Sequence, residues 1–157
     1  MTVVTLRPAT AADDEFCFQL HKAAMGGYIT ATWGWDEQKQ REFHNRAFNP
    51  GRWQIITACG ADVGVIDVGR RPTEIYLGRI EIHPSHQGRG ICTRLISALI
   101  DEARCNGQDL ALDVLTVNPR AQALYQRLGL TEVARHSDGD GDIRISMRSG
   151  TADNAAT

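Results

Sequence analysis

Ile80-Glu-Ile-His-Pro-Ser-His-Gln-Gly-Arg-Gly-Ile-Cys-Thr-Arg-Leu95 holds the end of a strand, a glycine turn and the start of a helix. The strand runs from Glu74 to Ile82 and ends at His83-Pro84, because proline donates nothing to a sheet ladder. The helix runs from Gly90 to about Asn106, with Ile91, Leu95, Leu99 and Ala103 on one face. Cys92, Ile96 and Ile100 widen that face, and so broad a stripe packs flat on a sheet. Gly88 and Gly90 let the backbone take positive φ and come close to a ligand. The N–H groups of the turn and of the first helical turn, helped by the helix dipole, form an anion site. Gln87 and Arg89 can add donors, and a diphosphate suits the place. On its own, a Gly-x-Gly turn is read equally well as a structural turn.

Outward from this stretch, the N-terminal side reads as a strand over Val3–Leu6, then Thr10 as N-cap with Asp13 in a weak capping box. Phe16, Leu20 and Ala24 make one face of a first helix, which Gly26-Gly27 is expected to stop. Residues 28–35 read as an aromatic connection, and Asp36 caps a second helix to about Phe48. Trp53–Cys59 and Val63–Val68 form a hairpin across Gly60-Ala61-Asp62. On the C-terminal side come a strand over Leu110–Val114 and a helix from Pro119 to Leu128 with Gly129 as its stop. Strands over Thr131–Arg135 and Ile143–Arg148 flank a loop holding Asp138, Asp140 and Asp142, and Gly150–Thr157 reads as a tail. Three consecutive strands between helices exclude a plain Rossmann alternation and predict an α+β fold. It has a mixed, mostly antiparallel sheet of about seven strands with four helices on both faces.

Length and composition narrow the function classes. The chain has 157 residues, enough for one domain (1–149) that buries roughly 70% of its unfolded surface. Apolar residues make up 42% and charged residues 23%, which excludes a disordered tail or a fibre. The net charge of −2 lacks a nucleic-acid footprint, and no apolar run reaches the ~20 residues of a membrane span. The N-terminus has no signal-peptide pattern. Cys17, Cys59, Cys92 and Cys105 contain no C-x-x-C pair, so a reduced, cytoplasmic protein without structural zinc is expected.

A second stretch carries chemistry: Leu112-Asp-Val-Leu-Thr-Val-Asn-Pro-Arg-Ala-Gln-Ala-Leu-Tyr-Gln-Arg-Leu-Gly-Leu130. Asn118 and Tyr125 lie two helical turns apart on one face, beside Ala121, Leu124 and Leu128. Taken singly, Asn118 is a helix cap and Tyr125 a core-edge residue.

Together, in this order, the two stretches resemble the GNAT superfamily of acetyl-CoA-dependent N-acyltransferases. That family's signature Gln/Arg-x-x-Gly-x-Gly/Ala is matched by Gln87-Gly88-Arg89-Gly90-Ile91-Cys92. Its Asn-x-x-Ala-x-x-Leu-Tyr-x-x-x-Gly-Phe pattern is matched from Asn118 through Ala121, Leu124, Tyr125 and Gly129 to Leu130. The departures are Cys92, where Gly or Ala is usual, and Leu130, where Phe is usual. The Cys92 thiol is either a small packed group or, at a helix N-terminus, a thiol of lowered pKa.

The resemblance implies direct transfer of an acetyl group from acetyl-CoA to a primary amine, of a small molecule or a protein, in a ternary complex. Gln87–Cys92 would hold the diphosphate, Ile80 and Ile82 the pantetheine arm, and the Ile82 N–H the thioester oxygen. Asn118 joins the cofactor-binding set, and Tyr125 is the general acid for the leaving thiolate. Glu81 faces away from Ile80 and Ile82, toward the acceptor side, where partial burial would raise its pKa and make it the base. Asp113, between Leu112 and Val114, is its rival, and a third reading has water and no dedicated side-chain base. Tyr28, Trp33 and Trp35 are the substrate-side candidates, able to line a pocket or face a cation, and otherwise packing anchors. His83 and His86 lack a third ligand, the aspartate loop lacks the glutamate of a calcium site, and no metal is expected. A homodimer is left open. The alternatives are a non-catalytic acyl-CoA-binding regulatory module and a nucleotide-binding α/β domain.

Overall fold

The computed structural model describes residues 3–137 and 143–150. In chain order its elements are β1 (Val4–Pro8), α1 (Asp14–Thr32), α2 (Glu37–Ala47), β2 (Gln54–Ala58), β3 (Ala61–Arg70) and β4 (Glu74–Ile82). There follow α3 (Ile91–Cys105), β5 (Asp109–Leu115), α4 (Pro119–Arg127), β6 (Leu130–Ser137) and β7 (Ile143–Ser149). The seven strands form a sheet in the order β1-β2-β3-β4-β5-β7-β6. β4 and β5 pair in parallel, whereas β1–β2, β2–β3, β5–β7 and β6–β7 are antiparallel. A parallel pair needs a crossover, and α3 with its broad apolar stripe supplies it. This is the mixed sheet expected from the sequence. The chain groups into two compact units: residues up to Asp67 with Arg79–Ile91, and Val68–Gly78 with residues from Cys92 onward.

In the first unit, Ile55 pairs with Val65 across β2 and β3. Both side chains join Ala9, Cys17, Leu20 and Trp53 in one buried cluster, with Phe16 and Phe48 packed against it. Each such fully buried large side chain contributes roughly 1.5–3 kcal/mol. Thr10 and Asp13 form the reciprocal cap, but a single 3-10 turn over Ala11–Asp13 precedes α1. Asp13 also receives two hydrogen bonds from Arg7, at 2.8 and 3.0 Å, tying the start of the helix to β1.

α1 does not stop at Gly26-Gly27; it continues to Thr32, so Tyr28 is helical rather than part of a connection. Two interior glycines cost about 1 kcal/mol each. Burial of Ile29 one turn further on offsets that by roughly 1.5–3 kcal/mol. The actual stop is Gly34 at φ 80°, whose N–H bonds back to the Thr30 carbonyl. Asp36 then caps α2 by accepting from the Lys39 N–H at 3.1 Å.

Gly64 marks the tightest approach in this unit. A Cβ there would lie 2.5 Å from the Glu81 carbonyl oxygen and 2.8 Å from Ile82 Cδ1.

In the second unit, β4 and β5 pair from Glu74–Asp109 to Leu77–Leu112. On the other side of β5, Leu112 faces Met147 and Val114 faces Ile145. Leu110, Leu112, Val114, Ile145 and Met147 are all buried, as are Ile96 and Ala103 of α3. Asn118 caps α4 by accepting from the Ala121 N–H at 3.2 Å, with Pro119 in the first turn. Gly129 at φ 97° ends it. Asp138, Asp140, Asp142 and the residues after Gly150 lie outside the described residues.

Candidate active site

The glycine turn has the conformation its residues called for. Gly88 and Gly90 both sit at φ 77°, and a Cβ at either would meet no atom within 4 Å. Glycine is therefore required by the backbone, and the space in front of each is open. Ile91, buried, opens α3, and Arg89 is exposed. Gln87 braces the turn: its side-chain amide donates to the Ile82 carbonyl at 2.9 Å. His83, Ser85 and His86 form a local hydrogen-bonded knot in the preceding 3-10 turn. No group of three or more ligating side chains able to hold a metal occurs among the described residues.

At Cys92 the two readings separate. Burial pushes its thiol up to about 11, and the nearby charge of Arg120 only partly opposes this. Burial therefore favours the packed reading over a reactive thiolate.

At the end of β4, Ile80 is half-buried and Ile82 buried. Ile82 reaches toward Gly64, whereas Glu81 turns to the opposite face and meets α1. His21 Nδ1 lies 2.6 Å from Glu81 Oε2. Arg79 Nη1 donates to Glu81 Oε1 at 3.1 Å, and its guanidinium stacks 4.8 Å over the Trp53 ring. The expected upward shift of the Glu81 carboxyl is reversed. Burial pushes it up, but the His21 hydrogen bond and the Arg79 charge together hold it below the ordinary value.

Asp113 is also held ionised. Burial pushes its carboxyl up, but the Ser146 and Tyr76 hydroxyls, donating at 2.5 and 2.6 Å, bring it below the ordinary value. With Ser146, His136, Ser137 and Arg144 it lines a shallow cavity of about 270 Å³. Tyr125 is buried on α4, on the face set by the Asn118 cap two turns earlier.

The aromatic candidates separate. Trp35 is taken into packing: its Nε1 donates to Glu37 at 2.6 Å, its ring lies 6.3 Å from Phe18, and Lys22 sits over it at 5.5 Å. Trp33, at the end of α1, is 48% exposed, and Tyr28 is half-buried. The residues that sequence reasoning did not single out are His21 and Arg79. Neither carries a local signal, because α1 also holds Asp14, Glu15 and Lys22 and β4 also holds Glu74 and Glu81, and His21 stands 60 positions from its partner.

A strand, a doubly bent glycine turn and a helix N-terminus, in a sheet with one parallel pair at β4–β5, define a class of acyl-group transferases. The Acetyltransferase (GNAT) family model matches residues 15–130, and the chain belongs to that family. It is an acyltransferase. The N-alpha-acetyltransferase RimI of Mycobacterium tuberculosis is 30% identical over 135 residues, covering 83% of this chain and 80% of RimI. The L-amino acid N-acyltransferase MnaT of Escherichia coli is 37% identical over 57 residues, 36% of this chain and 33% of MnaT. Among solved structures, the PaiA N-acetyltransferase of Thermoplasma acidophilum in complex with coenzyme A superposes with a TM-score of 0.71. Its identity is 13%, and it covers 94% of this chain and 98% of its own. The ribosomal-protein-S18-alanine N-acetyltransferase of Escherichia coli gives 0.65 at 22% identity, covering 97% and 98%. At these identities the structures share the fold. No helix among the described residues is long and apolar enough to cross a membrane.

Proposed function

We propose that the chain transfers an acetyl group from acetyl-CoA to a primary amine, and that the preferred acceptor is the α-amine of a polypeptide. The observation that carries the cofactor is the Gly88–Gly90 turn, with both glycines at φ 77° and open space before them at the start of α3. Backbone N–H groups there suit the diphosphate, and Arg89, exposed beside them, adds a charge. The acceptor class rests on the RimI likeness, the longest of the curated matches described above. MnaT, named for free amino acids, matches over a shorter stretch and shares the α-amine.

The chemistry is the exchange of a C–S bond for a C–N bond. The amine nitrogen, once deprotonated, attacks the thioester carbonyl carbon. The Ile82 N–H stabilises the developing oxyanion. As the C–S bond breaks, the Tyr125 hydroxyl gives its proton to the thiolate sulfur. The proton leaving the amine is collected on the Glu81 side of β4. Asp113, held by two hydroxyl donors, orients rather than accepts protons. Trp33, exposed at the end of α1, serves the acceptor, together with Tyr28.

Two measurements test this. In thermal-shift titrations, acetyl-CoA should raise the melting temperature, whereas ATP and NADH should not; a ligand at 100 times its Kd adds about 2.7 kcal/mol. With acetyl-CoA bound, peptides with free N-termini should be acetylated faster than N-blocked peptides carrying lysine. Stabilisation by ATP or NADH alone would overturn the cofactor, and preference for the blocked lysine peptide would overturn the acceptor.

A further inference from the structure

The sequence pattern offers the Glu81 carboxylate as proton acceptor, and the structure surrounds it with partners. Both oxygens of Glu81 are occupied: Oε2 by His21 Nδ1 at 2.6 Å and Oε1 by the Arg79 guanidinium at 3.1 Å. Its side chain is 8% exposed, whereas that of His21 is 20% exposed. A paired anion holding two donors has little tendency to take a third proton, and a substrate amine has little access to it. His21 has the opposite character. An ionised carboxylate only accepts hydrogen bonds, so the His21 Nδ1 facing it must carry the hydrogen. In the neutral ring the lone pair then sits on Nε2. Both polar contacts of the ring are at Nδ1, with Glu81 at 2.6 Å and the more distant Arg79 Nη1 at 3.4 Å, and no described residue is bonded to Nε2.

We infer that His21 Nε2 is the general base for the amine, and that Glu81 is a positioning residue that fixes the ring's tautomer and orientation. This rests on the reading of the chain as an amine acetyltransferase. Glu81 precedes Ile82, the proposed oxyanion donor, so their Cα atoms are 3.8 Å apart across a trans peptide. The residue that orients the base and the oxyanion donor are thus neighbours on one strand. In the step itself the ammonium N–H bond breaks and an Nε2–H bond forms. The imidazolium charge is balanced by Glu81 through Nδ1–H, and the proton passes to water at the exposed edge of the ring.

Charged and titratable groups lie on both elements that meet at the ring, with Asp13 and Asp14 at the start of α1 also acting on Cys17. From β4 come Glu81 and Arg79; from α1 itself come the buried Cys17 thiol, pushed up to about 12 chiefly by burial, and Lys22, ion-paired to Glu37 at 3.1 Å.

Three variants separate the roles. His21→Asn keeps a side-chain N–H for Glu81 but has no base, and should lose about 100-fold or more in kcat/KM, within the usual range for a general base. Its acetyl-CoA stabilisation should be unchanged. Glu81→Gln should lose roughly 10-fold, in kcat rather than in KM, consistent with loss of orientation rather than of the base. The third, His21→Gln, guards against a folding defect peculiar to asparagine. The substrate amine's own titration is common to all and cancels in the ratio of variant to wild type. Nitrogen-15 spectra of histidine-labelled protein should show Nδ1–H at His21, an outcome independent of turnover. Wild-type rates and pH profile in both His21 variants, or an Nε2–H tautomer, would overturn the assignment while leaving acetyl transfer intact. A wild-type enzyme that acetylates no amine would overturn both it and the function proposed above.

Discussion

Gly64 tests the packing that supports the site. By backbone entropy alone, an interior strand glycine replaced by alanine should gain roughly 0.5–1 kcal/mol. The structure predicts the opposite sign. The new Cβ would stand 2.5 Å from the Glu81 carbonyl oxygen, 2.8 Å from Ile82 Cδ1 and 3.2 Å from Ile56 Cδ1, against ordinary contact at 3.4–4 Å. Side-chain tips can rotate away, but the carbonyl is backbone, and the adjoining His83 N–H is bonded to Val63 O at 2.8 Å. Overpacking of this kind costs about 1–3 kcal/mol, which exceeds the entropic gain. With the entropic gain subtracted, and at roughly 2–4 °C per kcal/mol for a chain of this size, Gly64→Ala should lower Tm by up to about 10 °C in a thermal melt followed by circular dichroism. Gly69→Ala is the matched control in the same strand, with its nearest foreign atom at 3.9 Å and no positive φ, and should melt at or slightly above wild type. A Gly64→Ala protein as stable as that control would refute the close-approach argument.

Tyr125→Phe should lower kcat by about 100-fold, the scale of a lost general acid, with the same acetyl-CoA-induced rise in Tm; an unchanged kcat would remove it as the acid. Thiol labelling at pH 8 should give two fast groups, the exposed Cys59 and Cys105, while Cys17 and Cys92, pushed by burial to about 12 and 11, react slowly without denaturant. Rapid reaction of Cys92 would contradict its packing. Asp13 is held at about 2 chiefly by hydrogen bonds from Arg7, against an ordinary 3.8. A depressed carboxyl stabilises the fold fully above the ordinary value, and that stability is lost as pH falls from about 4 toward 2. Asp13→Asn should accordingly lower Tm at neutral pH and flatten its decline across that window, and parallel pH–Tm curves for variant and wild type would exclude the effect.

Much of this protein was written locally in the chain. The alternation of β4, the stripe of α3, the turn glycines and the Asn118 and Asp36 caps depend on side chains within a few residues of one another, so spacing alone fixes them. The family motifs lie in those same local elements, which is why the class of chemistry could be read before any coordinates. Tertiary structure decided what depends on partners far along the chain. α1 ran through Gly26-Gly27 because burial of Ile29 outweighed two glycine penalties, a comparison that propensity cannot make. The Cys92 thiol is pushed up by burial, which is set by what packs over it. The carboxylates changed character for the same reason. Periodicity turned Glu81 away from Ile82 correctly, but whether burial raises or partners lower its pKa depended on His21, 60 residues away, and on Arg79 beside it. A charge's energy is set by neighbours within a few ångströms, and folding alone decides who those neighbours are.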